Sequence, residues 1–153
     1  MNIMELGALG EFVGSIGVIA TLIYLAVQIR HNTHSVRATV FQEFSRESSQ
    51  MAHLLVSDGA AGPAFMRGLA QPQDLDPAEV VRFRVLINLY FRNLQNGFHQ
   101  QRNGLIEDEL FESYVSYGLE RVLRQPGALE FWSKNQQHFT PAFSRWLNSR
   151  LAA

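Results

Sequence analysis

The stretch FVGSIGVIATLIYLAVQI, residues 12–29, runs eighteen positions without a charge, and only Ser15, Thr21, Tyr24 and Gln28 interrupt its apolar character. As an α-helix it measures ~27 Å, close to the ~30 Å hydrocarbon thickness of a bilayer. Residues 6–11 lengthen it enough to span with tilt, provided that Glu11 lies near an interface. A buried core helix is the competing reading, because eighteen residues is near the lower limit for a span. A cleaved signal peptide fits less well. The start Met1-Asn2-Ile3-Met4-Glu5 lacks a basic segment, and no clear small-x-small cleavage site follows the apolar run. The sequence therefore predicts a transmembrane anchor over residues 1–29 and a soluble domain over residues 30–153.

Flanking charge gives an orientation. No Lys or Arg precedes the apolar run, whereas Arg30, Arg37 and Arg46 follow it. The positive-inside rule then places the N-terminus outside and everything after Arg30 in the cytoplasm. Arg30, His31, His34 and Arg37 are expected to meet lipid headgroups. His31 and His34, one helical turn apart, also have the spacing of a metal pair. No further ligands accompany them, so headgroup contact is the simpler reading and no cofactor is expected.

Within the run, Gly7, Gly10, Gly14 and Gly17 recur at intervals of three and four, and Thr21 and Gln28 continue the line. Such spacing puts them on one helix face. Gly10-x-x-x-Gly14 is a small-xxx-small pair of the kind that lets two backbones approach closely in lipid. The expected partners are therefore the bilayer and a second transmembrane helix, from another copy or another protein.

Composition bounds the rest. With 153 residues there is room for one domain plus an appendage, and 46% hydrophobic against 18% charged residues describes a folded chain. A net charge of −1 gives no basic field, so nucleic acid is not an expected partner. The absence of cysteine removes disulfides, thiolate nucleophiles and zinc–cysteine sites together.

The reading beyond residue 30 is all-α. No Gly or Pro occurs between Val18 and Asp58, so the membrane helix is expected to continue into the domain, with Val36, Val40, Phe44, Met51 and Leu55 as an apolar stripe. Asp58-Gly59 should stop it through a left-handed glycine. Residues 60–70 read as a loop with a short helix from Pro63. Asp76-Pro77-Ala78-Glu79 has the form of a capping box. It opens a central helix to about Asn103-Gly104, with Val80, Phe83, Ile87, Tyr90, Leu94 and Phe98 as the main apolar face and Val81, Val85, Leu86, Leu89 and Phe91 widening it. Further helices are expected over residues 107–124, ended by Pro126-Gly127, then over 129–137, and from Thr140-Pro141 through Trp146. The predicted fold is a single transmembrane helix continuing into a small helical bundle.

Residues 24–33, YLAVQIRHNT, resemble the membrane-exit segment of a widespread family of uncharacterised bacterial proteins. Residues 96–109, NGFHQQRNGLIEDE, are similar to that family's central helix–turn–helix, and Phe131-Trp132 with Phe139-Thr140-Pro141-Ala142-Phe143 resemble its C-terminal aromatic motifs. The resemblance implies one N-terminal span, a small helical cytoplasmic domain and a bacterial inner-membrane location. It implies no activity.

One polar line crosses the central helix: Asn88, Arg92, Asn96, His99 and Asn103. It reads either as the lining of a small-molecule pocket or as amides and a histidine that set helix register. His99 has no marked acid or nucleophile beside it, and the acidic run from Glu107 to Glu112 suits a helix start without any catalytic role. Trp132, Phe139, Phe143 and Trp146 read as core. The sequence thus favours a non-enzymatic, membrane-anchored structural or accessory protein, acting as a homo-oligomer or as a subunit of a larger complex. The alternative is a membrane-tethered small-molecule-binding or sensor module.

Overall fold

The computed structural model describes residues 3–153, apart from the side chains of residues 3–6, 8 and 9. The first two positions of the expected anchor lie outside it. Six α-helices follow in order: α1 Ile3–Ser57, α2 Ala61–Ala70, α3 Pro77–Arg102, α4 Asp108–Gly118, α5 Pro126–Asn135 and α6 Pro141–Ala152. Short 3-10 turns at Pro72–Asp74 and Gln136–His138 and a π turn at Leu119–Leu123 complete the described elements, with no strand among them. The protein is all-α, with one long apolar N-terminal helix followed by a helical bundle. It divides into two compact units, Met1–Thr39 and Val40–Ala153.

In the first unit, every side chain described from Gly10 to Thr39 is exposed. The helix continues here because nothing in the sequence breaks it: no proline interrupts it, and its hydroxyls fold back onto the ladder. Ser15 donates to the Phe12 carbonyl at 2.8 Å, Thr21 to Gly17 at 2.8 Å and Thr33 to Ile29 at 2.9 Å. These three hydroxyls are thus satisfied within their own helix.

In the second unit α3 is the centre. Phe83, Leu86, Ile87, Tyr90, Phe91, Leu94 and Phe98 are buried on it, and Phe44 from α1, Phe65 and Leu69 from α2, Phe111 and Val115 from α4, Trp132 from α5, and Phe143 and Leu147 from α6 close round them. Aromatic rings dominate: Phe91 stacks on Trp132 at 5.2 Å, and Phe98 meets Phe143 and Trp146 at 5.7 and 4.9 Å. The C-terminal aromatics are core, with Trp146 half-buried. Val81, Val85 and Leu89, expected to widen the buried face, are instead 62%, 54% and 46% exposed. A helix of 26 residues presents more circumference than its neighbours cover, and these three fall on the uncovered side.

Helix ends explain most of the boundaries. Asp76 accepts from the amides of Ala78 and Glu79 at 2.8 Å each, and Glu79 accepts from the Asp76 amide at 3.1 Å, so the capping box is formed. Glu79 also pairs with Arg67, which ties this start to α2. At the far end Gly104 has φ 68°; its amide donates to Gln101 at 2.9 Å and the Leu105 amide to Gln100 at 2.9 Å, a Schellman closure.

Four expectations about helix ends are corrected. α1 does stop at Ser57, but no residue near Gly59 has a positive φ; Asp58 instead accepts from the Ala60 amide at 2.9 Å. Residues 61–70 are helix throughout, because Pro63 sits in the first turn, where its missing N–H has no intrahelical partner to lose. Pro126 opens α5 rather than closing the preceding helix, again as a first-turn proline. The last helix also runs beyond Trp146, to Ala152.

Candidate functional site

Two regions hold the residues singled out by sequence. The first is the apolar part of α1. Its 18-residue core segment has no part buried, and the helix is long and apolar enough to cross a membrane. The large side chains between Phe12 and Ile29 are between 47% and 65% exposed. A Cβ built on Gly7, Gly10, Gly14 or Gly17 would meet nothing within 4 Å. These four glycines and Thr21 therefore form a shallow stripe that the chain itself does not fill. Arg30, His31, His34 and Arg37 are all exposed on the following turns.

The second region is the polar line of α3, which divides into parts with different partners. Arg92 donates from Nη1 to the His138 carbonyl at 3.2 Å and lays its guanidinium 4.3 Å from the centre of the Phe139 ring. His99 Nε2 lies 3.0 Å from Thr140 Oγ1, and the Thr140 amide donates to Gln95 Oε1 at 3.0 Å, so these side chains hold the start of α6. Among the described residues no carboxylate hydrogen-bonds His99, so the imidazole–hydroxyl pair lacks an orienting acid. Asn96 Nδ2 donates to Glu47 Oε2 at 3.3 Å. Asn88 is half-buried, and Asn103 is exposed at the C-cap.

The better-connected residue is one position off the predicted line. Asn93 Nδ2 donates to Glu47 Oε2 at 2.9 Å, while its Oδ1 accepts from Tyr114 at 3.1 Å and from Ser48 at 3.3 Å. One amide thereby joins α1, α3 and α4. Asn93 directly follows Arg92 in the sequence, but Glu47, Ser48 and Tyr114 carry no signal linking them to it.

Behind this cluster lies a cavity of about 770 Å³, between the C-terminal turns of α1, α2 and α4, the middle of α3 and the π turn. Met51, Leu55, Phe65, Leu69, Tyr90, Tyr114 and Val122 make much of its wall, with Glu120 and Arg121 also lining it. Burial raises the Tyr90 phenol well above its ordinary pKa, with the neighbouring Tyr114 and Tyr117 adding to the effect. Burial raises Tyr114 as well, partly offset by the neighbouring Ser48 hydroxyl. A π turn leaves the helical bonding pattern locally out of step and recurs at functional sites. Here it directly follows Gly118, where a Cβ would stand 2.3 Å from the Tyr90 hydroxyl.

The chain matches no protein-family model, no curated protein and no solved structure.

Proposed function

We propose that this protein is a membrane-anchored structural or accessory protein without catalytic activity of its own. The apolar run of α1 crosses the bilayer, and the helical unit from Val40 onward works on the cytoplasmic side, as a homo-oligomer or as a subunit of a larger complex. The observation that carries this reading is the exposure of every described side chain between Gly10 and Ile29. Leaving a side chain such as Leu or Ile in water forgoes ~1.5–3 kcal/mol, and contiguous patches of this kind mark membrane or protein contacts. A core helix would be covered by the rest of its own fold, and here none of the apolar segment is covered.

Charge and glycine placement support the details. The exposed arginines and histidines from Arg30 to Arg37 suit a headgroup layer on the cytoplasmic face, and the unfilled glycine stripe suits a second helix packed in lipid. The likeness of residues 24–33 to a membrane-exit segment of bacterial proteins agrees with an inner-membrane location.

Fractionation tests the reading. Full-length protein should remain with membranes through alkaline carbonate washing and dissolve only in detergent, and removal of residues 1–29 should release a soluble helical fragment. Full-length protein that stays dissolved without detergent or lipid would overturn the anchor. Digestion of the domain by protease added to intact spheroplasts would overturn the orientation.

A further inference from the structure

Among the described residues three carboxylates are half-buried: Glu47, Glu79 and Glu112. Two of them carry an arginine, Glu79 from Arg67 and Glu112 from Arg150. Glu47 has no ion pair among those residues, and Arg46, beside it in the chain, pairs with Glu43 instead. What holds Glu47 is a pair of neutral amides. Asn93 Nδ2 and Asn96 Nδ2 both donate to its Oε2, at 2.9 and 3.3 Å, while Oε1 receives no hydrogen bond among the described residues. A half-covered negative charge held only by neutral donors still attracts a cation, and more strongly than one on the open surface, because less water screens it.

This carboxylate lines a groove of about 370 Å³ between α1 and α3, at the lower end of the range for small-molecule sites. Met51, Leu54 and Leu89 supply apolar walls, and Leu54 and Leu89 stand exposed on either side at 48% and 46%. Arg92 also lines the groove, but its guanidinium is committed to the His138 carbonyl and the Phe139 ring. The groove thus offers one uncompensated negative charge flanked by hydrocarbon. A single carboxylate among amides does not supply the roughly six oxygens that a hard metal ion takes. An ammonium group on a short hydrocarbon chain meets both features, its head at the carboxylate and its tail on the apolar walls.

We propose that this groove binds a small primary amine in its ammonium form, the ammonium donating to Glu47 Oε1 and the hydrocarbon chain lying on Met51, Leu54 and Leu89. All the lining residues belong to the Val40–Ala153 unit, so the site is independent of whether the apolar part of α1 spans a membrane.

The test uses full-length protein in nonionic detergent micelles, titrated at pH 7 with n-hexylammonium chloride or with 1-hexanol, which has the same chain and no charge. The melting midpoint followed by far-ultraviolet circular dichroism is the readout. n-Hexylammonium should raise the midpoint saturably and bind about tenfold more tightly than 1-hexanol, the worth of one charge-assisted hydrogen bond. Glu47→Gln keeps an oxygen for Asn93 and Asn96 but removes the charge, so it should bring the two affinities together. Leu89→Trp, at an exposed position on the groove wall, should abolish both responses while leaving the core intact. Absence of a saturable shift with n-hexylammonium overturns the proposal and leaves Glu47 to a basic side chain of a protein partner. Equal affinities in the unaltered protein overturn it as well, as does an ammonium preference that survives Glu47→Gln. A response retained in Leu89→Trp would be a micelle effect and likewise overturns it.

Discussion

At the scale of single residues, the Asn93 amide shows how a helix in an aromatic bundle is held in register. Its three hydrogen bonds reach Glu47 and Ser48 on α1 and Tyr114 on α4. Asn93→Ala should therefore cost about 1–3 kcal/mol, because Tyr114 loses its acceptor and Glu47 its nearer donor, whereas Ser48 keeps the Phe44 carbonyl. Asn96→Ala should cost less than about 1 kcal/mol, since Asn93 still serves the same Glu47 oxygen. Urea unfolding of the two variants checks the order, and equal losses would show that the hub is misplaced. The tyrosines add a pH dependence. Folding raises the phenol pKa of Tyr90 and Tyr114 above the ordinary value of 10.0. Above about pH 10 the unfolded chain releases these protons while the folded one retains them, so stability falls as pH rises and is fully present below that value. Tyr90→Phe should flatten part of that alkaline decline in unfolding free energy measured from pH 9 to pH 11.5. Sequence alone pointed to a polar line on α3 but not to its hub, because Glu47 and Ser48 are more than forty positions away and only the fold brings them alongside.

At the scale of elements, local signals placed what local forces decide. The capping box at Asp76, the helix end near Asn103-Gly104 and the apolar period of α3 were all legible, since each depends on residues within a turn or two, whereas the left-handed glycine expected at Gly59 is found at Gly104 instead. Prolines misled where position within the turn mattered: Pro63 and Pro126 are first-turn residues, and composition alone does not say which side of a proline the helix occupies. Crossings of helices were not legible at all. α2 and α5 approach so closely at Gly68 and Gly127 that a Cβ on Gly127 would stand 1.8 Å from the Gly68 carbonyl oxygen. Backbone cannot swing aside as a side chain does, so Gly127→Ala should force the helices apart and cost at least about 1–3 kcal/mol. Asp76→Ala should cost about 1 kcal/mol by losing the cap. Chemical denaturation should rank Gly127→Ala as the more damaging, although both look mild by residue type. The exposed side of α3 was missed for a related reason, because an apolar residue declares itself in sequence whether or not a neighbour arrives to cover it.

At the scale of the whole molecule, the two units make different demands on the same kind of residue. Gly127 is glycine because another backbone of its own fold lies against it; Gly10, Gly14 and Gly17 have open space where their Cβ atoms would be. Intramolecular packing therefore gives no account of the stripe, and the proposed account is a second transmembrane helix at close range. The two kinds of glycine should respond in opposite ways. Gly14→Leu should leave the melting midpoint of the domain unchanged, because no atom lies within reach of the new side chain, yet it should weaken association in the membrane. Val13→Leu, off the stripe, should alter neither. The absence of cysteine allows a direct readout: single cysteines at Gly10, Gly14 and Gly17 should form defined crosslinked adducts in native membranes, with Gly14→Leu suppressing those at Gly10 and Gly17. Cysteines at Ile16 and Ile23 serve as lipid-facing references. If the glycine positions crosslink no better than these two, the stripe faces lipid, and the proposed anchor would hold the domain at the membrane without a partner helix.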